Sequence, residues 1–272
     1  MTTQFIDIHG HLNDPQFDQD RDVVVERMRT RNVAGIIVGT DSKTSRDIIE
    51  MTKGFPENVY ASVGIHPIDN REEKFHQSIF EELVASPRVV AIGECGLDYS
   101  RPADVADVAF EKKRQRELFE AQVDFAIAHK LPLMLHVRDC DKARADAHHE
   151  VIAVLSEKKK TAGDALRGDV HFFAQTLDIA RQYFALGFTV SFTGVITFSR
   201  EYDEVVREAP LDMIMSETDS PYASPIPYRG KRNEPIYVEE VVKKIAEIRA
   251  EDFETVRAAL IDNAVRVFGI RV

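Results

Sequence analysis

The stretch FIDIHGHL (5–12) opens the pattern that decides the fold. Its length and its content of Ile and Phe predict a strand. Side chains of a strand alternate between its two sides, so His9 and His11 face the same side, and Gly10 leaves space above the backbone between them. Such a pair is either two hydrogen-bonded core histidines or part of a metal site, and the stretch alone leaves both interpretations open.

Seven further short apolar runs follow, and longer amphipathic stretches separate them. The predicted strands cover 5–12, 34–40, 59–67, 89–98, 131–139, 169–173, 188–194 and 212–221. The clearest predicted helices cover 23–32, 110–130, 179–187 and 236–250. Strands that alternate with helices predict parallel βαβ units, and 272 residues suit one α/β barrel. We therefore predict a single α/β domain over 1–272, folded as a (β/α)8 TIM barrel. A doubly wound open sheet is the alternative, but no glycine-rich phosphate loop follows the first strand.

The composition and net charge limit the classes of protein to which the chain can belong. The formal net charge is −11, with 44% hydrophobic residues, 30% charged residues and two cysteines, which is typical of a soluble globular chain. The acidic excess argues against a broad surface for duplex nucleic acid, although bound divalent ions would reverse the sign of an acidic pocket locally. No signal-like segment is visible and no apolar run approaches the roughly 20 residues that cross a bilayer. We expect a cytoplasmic protein without a membrane partner.

Imidazoles and carboxylates recur at the ends of the predicted strands. Besides His9 and His11, these are Glu94, His136, His171 and Asp219. In a barrel the carboxyl ends of the strands converge on one face, where active sites lie. Six such groups in one cavity would be costly without cations, and they exceed the three protein ligands of a usual catalytic zinc. We predict two divalent ions, or three; imidazole favours Zn, and carboxylate favours Mg or Mn.

The ordered set of motifs resembles the TatD family of metal-dependent deoxyribonucleases, within the amidohydrolase-like barrels, and above all its YcfH-like branch. The matching motifs are DIHGHL (7–12), GIHP (64–67), IGECGLDY (92–99), LHVRD (135–139), HFF (171–173), SFTGVITF (191–198), ETDSPY (217–222), PIPYRGKRNEP (225–235) and NAVRVFGI (263–270). The resemblance implies the barrel, a 3'-5' exonuclease type of activity on DNA, and six metal ligands with Glu94 bridging two ions: His9, His11, Glu94, His136, His171 and Asp219. The chain departs from the family pattern at four places, none of which is a proposed ligand: Cys95, Ser100, Phe172 and the stretch 174–184.

Further residues are expected to act on the substrate, which we predict to be DNA, single-stranded or at its ends. Asp219 is both a ligand and the candidate general base, and His66 and Glu217 complete the catalytic set. His66 would bind a phosphate or protonate the leaving oxygen, and Glu217 would support a ligand or hold a further ion. The substrate-binding set is Arg138, Arg229, Lys231 and Asp98. Arg138 suits bidentate phosphate binding, and Asp98 would orient a histidine through its free ring nitrogen.

Two other functions remain open at this stage. The same barrel hydrolyses carbonyl compounds, so an amide or ester hydrolase or a D-aminoacyl-tRNA deacylase is the first alternative. Carbonyl hydrolases of this architecture often bridge their metals with a lysine on strand four, where this chain has Glu94. A metal-stabilised scaffold that binds a partner is the second alternative, and the intact ligand set argues against it. No obligate protein partner is evident, and His76, His129, His148 and His149 are expected at the surface.

Overall fold

The computed structural model describes residues 3–100 and 108–271 of the chain, and its strands form one parallel sheet in sequential order. Within those residues the strands are β1 (Phe5–Gly10), β2 (Val33–Val38), β3 (Val59–Val63), β4 (Val89–Asp98), β5 (Leu133–Arg138), β6 (Gly168–Val170), β7 (Phe188–Phe192) and β8 (Ile214–Ser216). Two hydrogen bonds close the sheet between its first and last members: His11 N donates to Ser220 O at 2.7 Å, and Asp219 N donates to His9 O at 2.9 Å. The predicted (β/α)8 barrel is confirmed.

Helices follow the strands along the chain and cover the outside of the sheet. In the described ranges they are α1 (Arg21–Arg31), α2 (Ser42–Thr52), α3 (Gln77–Val84), α4 (Val108–His129), α5 (Asp146–Ala162), α6 (Leu177–Ala185), α7 (Asp203–Glu208), α8 (Val238–Arg249) and α9 (Phe253–Phe268). The carboxylate of Asp41 caps α2 by accepting from Thr44 N at 2.6 Å, and Asp252 caps α9 in the same way. None of these helices has both the length and the apolar character needed to cross a membrane.

The apolar core has two parts. The larger part lies between the strands and the surrounding helices. The smaller part joins strand residues such as Ile8, Ile36 and Met134 to the end of α9, where Phe268 and Ile270 are buried. Since the barrel is filled from one end by these apolar side chains, its polar side chains gather at the other end, beyond the carboxyl ends of the strands.

Several strands are shorter than the sequence predicts. The predicted strand 169–173 ends at Val170, and the predicted strand 212–221 ends at Ser216. His171 and Asp219 therefore belong to the segments that follow β6 and β8, and Asp219 has a left-handed φ of 53°. One further backbone hydrogen bond follows each strand, from His171 N to Leu135 O and from Glu217 N to Phe192 O. The chain then leaves the extended conformation at Phe172 and Asp219, which have left-handed φ values, and the sequence pattern does not reveal this change.

Glycines permit an irregularity in β4 beside its one buried glutamate. The register against β5 shifts between Ile92 and Cys95, and Gly96 has a φ of +141°. A Cβ on Gly96 would lie 2.0 Å from the carbonyl oxygen of His136, so no larger residue fits there. The close approach of β4 and β5 brings Glu94 and His136 into direct contact.

Candidate metal centre

A cavity of about 610 Å³ opens at the carboxyl ends of the strands. Five of the six predicted ligands line it: His11, Glu94, His136, His171 and Asp219. The sixth, His9, is fully buried beside them. His66, Asp98 and Arg138 also line the cavity, whereas Glu217, Arg229 and Lys231 are not among its lining residues. Most of the predicted site residues therefore meet at one place.

Glu94 lies at the centre of this group. Its Oε1 atom is 2.8 Å from His136 Nδ1 and 2.8 Å from His171 Nε2. Its Oε2 atom is 3.6 Å from His9 Nε2 and 3.7 Å from His11 Nε2. Each oxygen thus has its own nearest pair of imidazoles, and this arrangement suits a carboxylate shared by two cations.

Asp219 completes the side of the cavity nearest β1. Its Oδ1 atom is 3.5 Å from His11 Nε2 and 3.9 Å from His9 Nε2, and these two ring nitrogens are 3.2 Å apart. Three groups have donor atoms within 4.8 Å of one another: His9, His11 and Asp219; His9, Glu94 and His171; and His66, Glu94 and His136. Mixed imidazole and carboxylate donors of this kind fit divalent metal ions.

The outward ring nitrogens of the ligands also face oxygen atoms. His11 Nδ1 lies 3.2 Å from Val38 O, which accepts its hydrogen, so Nε2 is the nitrogen that faces the cavity. His136 is turned the other way, with Nε2 3.0 Å from Asp98 Oδ2 and Nδ1 toward Glu94. Metal-binding histidines are held by such outer oxygen acceptors. Asp98 therefore contacts the ring nitrogen of His136 that faces away from Glu94, and its orienting role stays a prediction.

Glu217 faces the Nδ1 atoms of two histidines, His9 and His171. It is completely buried, and its Oε2 atom is 3.4 Å from His171 Nδ1 and 3.9 Å from His9 Nδ1. None of these three atoms has another hydrogen-bond partner among the described residues. The Oε1 atom accepts from Phe172 N and from Ser191 Oγ, the latter at 3.1 Å. Glu217 thus has the geometry of a residue that positions two ligands, rather than one that reaches the substrate.

The protonation of the cluster without metal shows that it accommodates positive charge. Burial would raise the pKa of Glu94, but the histidines around it, His171 first, hold that pKa well below its usual value. Burial would lower the pKa of His171, but Glu94 and Glu217 raise it to about 10. The pKa of His11 rises to about 9 through Asp219 and Glu94, again against burial. The residues therefore fit divalent ions, which would replace these protons.

His66 lies against the same carboxylate from another side. Its Nε2 atom is 3.7 Å from Glu94 Oε1, and its Nδ1 atom is 2.9 Å from Asp69 Oδ1. Asp69 lines the cavity and holds the ring so that Nε2 points inward. Sequence reasoning missed Asp69, although its position three residues after His66 was an available signal.

The predicted cationic residues divide into two places. Arg138 lines the cavity, donates from Nη1 to Phe172 O at 2.9 Å, and lies 4.4 Å from the centre of the Phe172 ring. Arg229 instead packs over Phe198, 3.9 Å from its ring centre, and Lys231 lies on the exposed loop beyond it. Arg138 can meet a group inside the cavity, whereas Arg229 and Lys231 can meet only an extended ligand.

One of the four histidines expected at the surface is buried. His148 is 2% exposed, and its Nδ1 atom is 2.9 Å from the hydroxyl of Tyr183. Burial lowers its pKa to about 3, so its ring is neutral. The expectation was wrong because α5 turns this position toward α6, which the local sequence does not reveal; His76 and His149 are exposed and His129 is partly exposed.

Comparison with known proteins gives consistent matches along the whole chain. The family model for TatD related DNase matches residues 6–269. The uncharacterized metal-dependent hydrolase YabD of Bacillus subtilis is 37% identical over 97% of this chain and 98% of its own. The 3'-5' ssDNA/RNA exonuclease TatD of a Rahnella species is 33% identical over 96% of each chain. The uncharacterized metal-dependent hydrolase YcfH of Escherichia coli is 31% identical over 97% of this chain and 96% of its own.

The solved structure of a bacterial relative shows the same fold. The crystal structure of YjjV, a TatD homologue from Escherichia coli, matches all of this chain with a TM-score of 0.86 at 24% identity, and all of that chain is covered. The family model spans almost the entire barrel, and relatives named as metal-dependent hydrolases match over nearly their full length. The chain therefore belongs to the TatD related DNase family of metal-dependent hydrolases.

Proposed function

We propose that the chain is a divalent-metal-dependent deoxyribonuclease of the 3'-5' exonuclease type, which hydrolyses phosphodiester bonds of DNA that is single-stranded or exposed at its ends. The observation that carries this proposal is the position of Glu94, whose two oxygens have different nearest pairs of imidazoles. The relative from Rahnella, named as a 3'-5' ssDNA/RNA exonuclease, supports the substrate class. We include the cytoplasmic location in the proposal, which cell fractionation would test.

The proposed ligands divide into two sets that share Glu94. His9, His11 and Asp219 would hold one ion. His136 and His171, which both lie 2.8 Å from Glu94 Oε1, would hold the other. Zn, Mg and Mn all suit part of this donor set. Bound divalent ions would lower the pKa of water toward neutrality and would stabilise negative charge on a phosphate oxygen.

The residues of the chain would move the protons of the reaction. Hydrolysis adds water across a P–O bond, so one proton leaves the water and one reaches the leaving oxygen. Asp219 is the proposed base: burial would raise its pKa, but His11 and its neighbours lower it, so the carboxylate is ionised. His66 is the proposed donor to the leaving oxygen, with Asp69 holding its outer nitrogen. Arg138 would bind the phosphate from the cavity wall.

The test begins with protein stripped of metal and 5'-labelled single-stranded DNA. Mg²⁺, Mn²⁺ or Zn²⁺ is added back separately, and products are resolved by length. Glu94→Gln removes the bridging charge, and Glu72→Gln makes the same chemical change at an exposed position. We expect metal-dependent cleavage by wild type and Glu72→Gln, with a ladder of products shortened from the 3' end, and loss of cleavage in Glu94→Gln.

The opposite result separates the nuclease from the carbonyl hydrolases. If the wild-type protein binds metal but cleaves no phosphodiester with any of the three ions, the nuclease proposal is wrong. The remaining candidates would then be an amide or ester hydrolase or a D-aminoacyl-tRNA deacylase. Cleavage retained in Glu94→Gln would overturn the proposed role of that residue while leaving the activity itself established.

A further inference from the structure

Large apolar side chains are exposed together on the face that carries the metal centre. Among residues 3–100 and 108–271, six large hydrophobic side chains are exposed, and three of them follow β7 and β8. These are Phe198, Ile226 and Tyr222, with exposed fractions of 42%, 49% and 52%. Exposed apolar side chains that lie together beside a polar cavity are typical of a ligand-binding surface.

Tyr222 connects this surface to the cavity. It lines the cavity, and its ring centre is 6.4 Å from that of His11. Its hydroxyl donates to Asp14 Oδ2 at 3.0 Å, and its carbonyl oxygen accepts from Asn233 Nδ2 at 2.6 Å. The ring is thus held at both ends while half of it remains open to solvent, so little conformational entropy is lost when a flat ligand covers it.

Phe198 and Arg229 form a second flat surface farther out. The guanidinium of Arg229 lies 3.9 Å from the ring centre of Phe198, and its Nη1 atom donates to Ser224 O at 2.9 Å. Ile226 N donates to Thr197 Oγ1 at 2.9 Å, which ties the segment after β8 to the segment after β7. Tyr222 and Ile226 are four residues apart, so at most about 14 Å of chain separates them.

The charges on the segment after β8 indicate what kind of ligand this surface binds. Arg232 is neutralised by Asp20, at 2.7 Å, and by Glu234, at 3.2 Å. In the part of the chain that the structure describes, Arg229 and Lys231 form no ion pair. Arg229, which lies over the Phe198 ring, and Lys231, two residues further along the chain, are thus uncompensated cations of an otherwise acidic protein. Aromatic rings, a stacked guanidinium and free cations together match the bases and phosphates of a nucleic acid strand.

We propose that Tyr222 and the Phe198–Arg229 pair are two stacking platforms for successive unpaired bases of the substrate strand. Tyr222 takes a base next to the scissile bond, and Phe198 with Arg229 takes a base farther along the strand, while Lys231 contacts the phosphates. This inference rests on the proposed nuclease function. It explains the proposed preference for single strands, because the bases of a duplex are stacked on each other and cannot cover these rings.

The test measures binding, so that it does not depend on cleavage. Oligonucleotides with phosphorothioate linkages are titrated onto the metal-loaded protein in Mg²⁺ and in Mn²⁺, as a dinucleotide, as a strand of about eight nucleotides, and as the same strand without bases. We expect Tyr222→Ala to weaken binding of both the dinucleotide and the longer strand by about tenfold, as loss of one stacked base does. Phe198→Ala should weaken only the longer strand, and neither variant should change binding of the strand without bases.

Two further variants control for structural damage. Tyr222→Phe keeps the ring and should restore most of the lost affinity, and Val23→Ala removes an exposed apolar side chain from α1 and should change nothing. The chain contains no tryptophan, so Tyr222→Trp places a single, selectively excitable tryptophan at the platform, and a stacked base should quench its fluorescence.

The outcomes keep the two proposals distinct. If the wild-type protein binds no oligonucleotide, both proposals fail. If it binds but Tyr222→Ala and Phe198→Ala bind the intact longer strand as tightly as wild type does, the platforms are wrong and the nuclease proposal stands. An equal loss of affinity for intact strands and strands without bases would show that the variants disturb phosphate binding instead, and would also overturn the stacking proposal.

Discussion

Replacing Glu217 with glutamine should weaken metal binding without removing a ligand. The Oε1 atom of Glu217 accepts from Phe172 N and Ser191 Oγ, so the amide oxygen of the glutamine must stay there. Its NH₂ group is then forced into the place of Oε2, which faces Nδ1 of His171 at 3.4 Å and Nδ1 of His9 at 3.9 Å. The NH₂ group can only donate, so Nδ1 of each histidine must accept and cannot carry the proton. The proton of each neutral imidazole then moves to Nε2, the nitrogen that would bind the metal.

The expected loss of metal affinity depends on how many of the proposed ligands the Glu217 carboxylate contacts. Loss of an outer partner of a metal ligand reduces metal affinity by about 10- to 100-fold. Glu217 faces two imidazoles, and all three side chains are buried, so water cannot replace the lost acceptor. We therefore expect Glu217→Gln to lower metal affinity by about 100-fold, or ~2.8 kcal/mol.

The assay is competition for metal between the stripped protein and a chromophoric chelator. Glu72→Gln serves as the matched control, and thermal unfolding of each metal-free protein checks that the variants fold. At saturating metal, Glu217→Gln should recover most of its cleavage rate, because the residue does not line the cavity. A metal affinity within about twofold of the control would refute this reasoning, as would a loss of cleavage that added metal does not restore.

Three other perturbations have definite expected results. Asp219→Asn should lower the cleavage rate by about 10²- to 10⁴-fold at saturating metal, measured in single-turnover experiments; a variant that keeps more than about a tenth of the rate would contradict the role of general base. Metal binding near neutral pH should release protons from His11 and His171, whose pKa values of about 9 and about 10 in the metal-free protein lie above the usual 6.5, so affinity should rise with pH until both are neutral. Calorimetry in buffers of different ionisation enthalpy measures this release, and equal heats in all buffers would contradict it. Gly96→Ala should cost about 3 kcal/mol or more, because its Cβ would lie 2.0 Å from His136 O at a φ of +141°; an unchanged midpoint of urea unfolding would show that β4 relaxes.

The centre of the site could be predicted because periodicity carries the necessary information. His136 and Arg138 stand two apart on β5, so they face one side. His9 and His11 also stand two apart, and their rings meet as predicted, although β1 ends at Gly10 and its pairing with β2 is irregular after Asp7. The apolar run before Glu94 indicated a buried carboxylate, and a buried carboxylate needs a cation or a proton. These local patterns, together with the convergence of strand ends in a barrel, were enough to bring the proposed ligands into one cavity.

The surroundings of the site depend on contacts between distant segments, which local patterns do not contain. Glu217 was expected near the chemistry, but its burial behind His9 and His171 follows from where β8 ends. Arg232 stands only three residues after Arg229 in the sequence. Its ion pair with Asp20, from the segment before α1, makes the two different.

Closure of the barrel between its first and last strands has a consequence for the timing of activity. His9, His11 and Asp219 form the hydrogen bonds that close it, and the same three residues form one of the candidate cation groups. During translation the two histidines leave the ribosome long before the aspartate, so this group cannot assemble until β8 has docked beside β1. A nascent chain would therefore lack the proposed cleavage activity until its last strand has been synthesised. In the finished protein, an ion held here would tie the two ends of the sheet together, so that chelation would weaken the closure and abolish the activity in one event.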